Sequence, residues 1–229
     1  IDNFLLVEAG MFRDRALYEL LGGGTYPTRN PDQNVADIKA QIAANEKGVQ
    51  ELRAMVAHYG LKVVHAYMQH VQDNAEASVR RLLEHLHSGS FEYPMDDGNL
   101  VCVKIDIDRK KHEARIDFTG TSLQTDDNFN APAAISRAAV IYVLRSLVDL
   151  DIPLNDGCLK PVRLIIPEGS MLNPRPPGAV VAGNVETSQC ITDCLYGALR
   201  VMAAAQGTMN NFTFGNENHQ YYETIAGGS

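Results

Sequence analysis

The sequence has no apolar run approaching the roughly 20 residues of a membrane-spanning helix. It also has no charged-then-apolar leader ahead of a small-residue cleavage site. Both absences lead to the expectation of a cytoplasmic protein with no membrane partner. Positive charge is scarce, with 20 Lys+Arg against 28 Asp+Glu and a net charge of -8. No basic run stands out to neutralise phosphates, so nucleic acid is not an expected partner, and a small molecule or another protein is. Cysteine is sparse too: Cys102, Cys158, Cys190 and Cys194 show neither CxxC spacing nor the density of a disulfide framework, which suits reduced thiols. GxGxxG, the Walker phosphate loop, HExxH and the GxSxG elbow are all missing, so no standard motif binds ATP here. The seven histidines form no i, i+4 pair, and no metal site is expected from them.

What is present is globular material, 229 residues with 45% hydrophobic content, enough for one large domain or two small ones. The first residue is Ile1 rather than Met, and Gly227, Gly228 and Ser229 close the sequence just after an apparent strand, so it reads as a piece of something longer. The expected class is α+β: a long antiparallel helical hairpin, then a mixed α/β region with a β-hairpin and buried helices. Three segments are expected, a strand and turn segment at 1–30, the hairpin at 31–90 and the mixed region at 91–229.

The first long helix has a clear start, with Asn30 as N-cap, Pro31 at the first helical position and Gln33 placed to reach back. Val35, Ile38, Ile42, Val49, Leu52 and Val56 then recur at helical spacing, with Asn45 in the one polar place of that seam, until Gly60. Leu61, Val64, Met68, Val71, Ala75, Leu82 and Leu86 repeat the pattern, and the short join points to an antiparallel pair. Asn34, Asp37, Gln41 and Asn45 fall within an arc of about 80° beside the apolar stripe. Short amides are poor helix formers, so this stripe is either a buried hydrogen-bond network or the wall of a site.

Strict alternation over Leu100 to Asp108, continued by Ala114, Ile116 and Phe118, predicts a β-hairpin. A polar loop at 119–130 leads into a segment, Ala133 to Val148, whose length favours a buried helix. Val162 to Ile166 reads as a strand. Asn173 to Asp193 then reads as a proline-rich turn, a short apolar strand broken at Gly183, and a helix running from a polar mouth to about Ala205. The mouth carries Asn184, Glu186, Thr187, Ser188 and Gln189; the first N–H groups and partial positive charge of a helix attract anions and oxyanions. Cys190 and Cys194 sit at i, i+4 on this helix, either as ligands, as an activated thiol at Cys190, or as small core residues. Strand-like Phe212 to Phe214 and Tyr221 to Ile225 follow. Amide-rich turns beside glycine, at Asn128 to Asn130, Asn184 to Gln189 and Thr208 to Asn211, suit a small polar amide or carboxylate, because each side chain both donates and accepts. The candidate binding residues are Asn130, Asn184, Thr187, Ser188, Gln189, Asn210 and Asn211. Glu223, a carboxylate in an apolar strand, is a candidate general base if it is buried, and otherwise an edge-strand surface residue.

Long motifs accompany these turns: DFTGT at 117–121, NFNAP at 128–132, DIPLNDGCLKPVRLIIPEGS at 151–170, GNVETSQ at 183–189, QGTMNN at 206–211 and YYETIAGG at 221–228. With TRN at 28–30 and AQIAAN at 40–45, they resemble the hydantoinase B/oxoprolinase family, most closely the B-type region of ATP-dependent 5-oxoprolinases. The resemblance implies conversion of 5-oxo-L-proline, with ATP and water, to L-glutamate, ADP and phosphate. It implies that ATP is bound by an A-type half outside this chain, which phosphorylates the lactam oxygen, and that the B-type region opens the ring within an oligomer. The family's metal requirement stays open. The family commonly has Arg after the TSQ run, where this chain has Cys190, so no cation is carried over to that position. The alternatives are a hydantoinase or acetone-carboxylase-type B subunit, and a non-catalytic module in which the helical hairpin docks partners.

Overall fold

The computed structural model describes residues 4–24, 27–149, 152–204 and 207–225. Asp151, Ala205, Gln206 and the Ala226 to Gly228 end of YYETIAGG lie outside them. The chain divides into two compact units, Ile1–Tyr67 and Met68–Ser229, with the division inside a helix.

The first unit opens on a two-stranded antiparallel ribbon, β1 (Val7–Glu8) and β2 (Met11–Phe12), followed by α1 (Asp14–Gly22) and α2 (Pro31–Tyr59). The small core holds Leu17 and Leu21 of α1 against Val35 of α2, with Phe4, Leu6, Phe12 and Ile38 packed around them. Asn30 caps α2 as expected, its side chain accepting from the backbone N–H of Gln33 at 3.3 Å. The Gln33 side chain does not reach back; it donates to Asp37 Oδ1 at 2.8 Å instead.

After Gly60 the chain enters α3 (Leu61–Leu83) at once, so the expected long helix pair is present. Val49, Leu52 and Tyr59 are 40%, 44% and 59% exposed, and Leu61, Met68 and Val71 are exposed as well. A single residue, Gly60, joins the two helices.

In the second unit, β3 (Gly89–Pro94), β4 (Leu100–Asp108) and β5 (Glu113–Asp117) pair antiparallel, and β6 (Val162–Ile165) adds parallel to β5, in the order β3-β4-β5-β6. Val101, Val103 and Ile105 of β4 are buried as the alternation expected, but Cys102 between them is buried too and Ile107 is only half-buried. Between β5 and β6 come α4 (Ala133–Leu147) and a 3₁₀ turn (Asp156–Leu159); after β6 come a 3₁₀ turn (Val181–Gly183) and α5 (Thr187–Leu199). One core joins the end of α3, the sheet, α4 and α5 through Val79, Leu83, Phe118, Val140, Ile191 and Leu195.

Two local expectations are corrected. Val181–Gly183 is 3₁₀ rather than strand, because Val180 at φ -135 and ψ 12 leaves the extended region. Helix α5 stops at Leu199, short of Ala205, where Arg200 turns into the left-handed region at φ 56 and ψ 39. Beyond it, β7 (Asn211–Gly215) and β8 (Gln220–Thr224) form an antiparallel hairpin of their own.

Candidate functional site

The turns that carry the long motifs are tied together by backbone at the mouth of α5. Asn128 O accepts from Ala182 N at 2.9 Å, and Phe129 O accepts from Thr187 Oγ1 at 2.5 Å. Val185 O accepts from Met209 N at 3.1 Å. NFNAP, GNVETSQ and the Gly207 to Asn211 part of QGTMNN therefore meet in one place. Gly183 is what lets the first two approach: a Cβ there would stand 2.5 Å from Asn130 O and 2.8 Å from Ala131 Cα.

The residues expected to bind a ligand divide into buried organisers and groups that are exposed or half-buried. Asn130 is fully buried. Its Oδ1 accepts from Thr125 N at 2.9 Å, and its Nδ2 donates to Thr125 O, Asp127 O and Ala179 O at 3.0, 3.2 and 3.0 Å. Its hydrogen-bonding capacity is used within the protein. Thr187 is also fully buried and committed to Phe129. Asn211 Oδ1 accepts from the Tyr222 and Thr224 hydroxyls at 2.9 and 2.8 Å, while its Nδ2 is buried with no protein acceptor. Asn184 is exposed, Gln189 and Asn210 are half-buried, and Ser188 donates back to Asn184 O at 2.6 Å. No side chain caps α5, so its mouth is shaped by backbone turns.

Glu223 does not meet the condition attached to it: it is exposed on β8, and its Oε2 accepts from the Tyr221 hydroxyl. That bond raises the Tyr221 pKa. Asn34, Asp37, Gln41 and Asn45 are all exposed on α2 in the first unit, so the buried-network reading of that stripe is not realised.

The inner face of α5 explains the cysteines. Cys190 Sγ donates to Gly207 O at 3.7 Å, and Cys194 Sγ donates to Val101 O at 3.2 Å. Burial pushes the Cys190 thiol up to about 11 and the Cys194 thiol up to about 12. Both are core thiols at neutral pH, not an activated nucleophile. The Tyr93 hydroxyl, pushed up to about 12 chiefly by burial, and the buried Asp193 carboxylate face the same side of Gly207. Sequence pattern singled out neither; a lone Asp within the apolar run from Cys190 to Leu199 is the one signal that pointed there.

No three His, Cys, Asp or Glu side chains stand together as metal ligands among the described residues. The glycine run Gly22 to Gly24 closes α1 instead of opening a helix, so it does not form a phosphate cradle. No helix among the described residues is long and apolar enough to cross a membrane.

Comparison with known proteins decides the family. The hydantoinase B/oxoprolinase family model matches residues 1–229. The chain belongs to the hydantoinase B/oxoprolinase family. It is 44% identical over 255 residues to 5-oxoprolinase 1 of Arabidopsis thaliana, covering 100% of this chain and 20% of that protein. It is 45% identical over 238 residues to the 5-oxoprolinase of Dictyostelium discoideum, covering 100% of this chain and 18% of that one. The chain thus spans about a fifth of the length of these relatives. The fold is similar to the ATP-dependent caprolactamase of Pseudomonas jessenii, with a TM-score of 0.68 at 21% identity over 96% of this chain and 40% of that one.

Proposed function

We propose that this chain is the ring-opening, B-type region of an ATP-dependent 5-oxoprolinase-type enzyme. The carrying observation is the match to 5-oxoprolinases over the whole chain at 44% identity or more. In this reading an A-type half outside the chain binds ATP and phosphorylates the lactam oxygen, which turns a poor electrophile into a good one. Water then adds to the activated carbon, the carbon–nitrogen bond breaks with a proton delivered to nitrogen, and a second water releases phosphate.

This chain's part is binding and orientation at the mouth of α5. Asn184, Ser188, Gln189 and Asn210 offer donors and acceptors to the ring amide and carboxylate. The positive end of the α5 macrodipole favours the anionic intermediate. Asn130, Thr187 and the buried part of Asn211 hold the turns in register, and Glu223 is assigned no role. The test is turnover of 5-oxo-L-proline by a full-length 5-oxoprolinase-type protein carrying this region. Asn184→Ala, Gln189→Ala and Asn210→Ala are each expected to lower kcat/KM by about tenfold or more with the fold intact. Native turnover in all three overturns the pocket assignment.

A further inference from the structure

We propose that Tyr93 is a positioning residue for the site: its hydroxyl is the stop against which Gly207 rests, and it thereby fixes where the turn from Gly207 to Asn211 presents Asn210 at the mouth of α5. The inference rests on the proposed reading of that mouth as a substrate pocket and adds a residue to it. Tyr93 comes from β3, whose alternate residues run along the inner face of α5. Gly89 lies on Ala198, the Phe91 ring lies on Gly197 while Phe91 O accepts from Cys194 Sγ at 3.6 Å, and Tyr93 faces Cys190. Two residues along β3 thus correspond to about one turn of α5 toward its N-terminus. Backbone pairing of Tyr93 with Val101, whose carbonyl accepts from Cys194 Sγ at 3.2 Å, holds the strand in this register. The Tyr93 ring is half-buried against the main core, and its hydroxyl is carried out to the mouth.

Two requirements coincide at Gly207. Its φ of 70° lies in the left-handed region, and a Cβ there would fall on the Tyr93 hydroxyl oxygen. The ring carbon that carries the hydroxyl stands 3.5 Å from the same point, and Asp193 Oδ2 stands 3.7 Å from it. The hydroxyl alone makes the close approach, since the others are at ordinary van der Waals distance. From Gly207 the path to Asn210 is short. Cys190 Sγ donates to Gly207 O at 3.7 Å, and the next residue, Thr208, accepts through Oγ1 from Asn210 N at 2.9 Å. Asn210 is itself left-handed at φ 54, and its carbonyl accepts from Ile225 N at 2.9 Å. A shift at Gly207 therefore reaches Asn210 through Thr208, and small misplacements of a binding group are costly in turnover.

The experiment is steady-state turnover of 5-oxo-L-proline by a full-length 5-oxoprolinase-type protein carrying this region, with thermal unfolding measured alongside. Tyr93→Phe is expected to lower kcat/KM by about threefold or more, through KM for 5-oxo-L-proline and not KM for ATP, with cooperative unfolding retained. Gly207→Ala is expected to lower it by about tenfold or more, and adding Tyr93→Phe to recover most of that loss, because the hydroxyl in the way is gone. In an Asn210→Ala background Tyr93→Phe is expected to have no further effect. If Gly207→Ala does not fold, Tyr93→Phe and its cycle with Asn210→Ala decide alone. Native kinetics in Tyr93→Phe, a Gly207→Ala loss that Tyr93→Phe does not relieve, or losses from Tyr93→Phe and Asn210→Ala that simply multiply each overturns the positioning role and leaves the pocket standing. Native kinetics in Asn210→Ala overturns the pocket reading and the positioning role together.

Discussion

Asn130 and Asn184 are the same residue type in two motifs of the same site, and they do opposite work. Asn130→Ala strands three carbonyls that its amide now satisfies, those of Thr125, Asp127 and Ala179. The expected cost is about 2–4 kcal/mol of stability, measured by denaturant unfolding. Asn184→Ala is expected to cost less than about 0.5 kcal/mol, since the side chain is exposed, and to act on turnover alone. Both asparagines were legible from their motifs as members of amide-rich turns. Which one faces inward was not, because a sequence does not record which carbonyls a loop brings within reach of an amide. The thiols make a separate, pH-dependent prediction. Cys190 and Cys194 have an ordinary value of 9.0, raised in the fold to about 11 and about 12 by burial. Their contribution is therefore whole below pH 9 and lost as pH rises toward those values, because only the unfolded chain releases the protons easily. Unfolding free energy is expected to fall across that window, and less steeply in Cys190→Ala and Cys194→Ala.

At the scale of elements, α5 is positioned by close approaches that only glycine permits. A Cβ on Gly89 of β3 would stand 2.1 Å from the backbone oxygen of Ala198, and backbone cannot step aside as a side chain can. Gly89→Ala is expected to push β3 off the last turn of α5 and cost about 1–3 kcal/mol, read from thermal or denaturant unfolding. Gly183→Ala meets Asn130 O at 2.5 Å, and so strains the site itself as well as the fold. The long periodic elements were readable from pattern: β4 by its alternation, α2 by its cap and seam, α4 by its length. Short ones were not. Strand β3 is mostly exposed and carries no alternating apolar face, and the Val181–Gly183 turn is apolar enough to pass for a strand. The α2 seam was legible as a stripe, because periodicity says that a face is apolar.

At the scale of the whole molecule, the turns at the mouth of α5 belong to a family whose 5-oxoprolinase members are about five times the length of this chain. The chain on its own is expected to show no ATP-dependent turnover of 5-oxo-L-proline, since the proposed division of labour puts ATP on an A-type half outside it; turnover by the purified 229 residues would sink that division. The architecture at α5 was foreseeable only in outline. The motifs marked three amide-rich turns, and the bonds from Ala182 to Asn128, Thr187 to Phe129 and Met209 to Val185 bring them together. The most direct test of the central claim is steady-state turnover of 5-oxo-L-proline by a full-length 5-oxoprolinase-type protein carrying Gln189→Ala in this region, with its thermal unfolding measured alongside. The account predicts a fall of about tenfold or more in kcat/KM with an unchanged Tm. Native kcat/KM in that variant would contradict it.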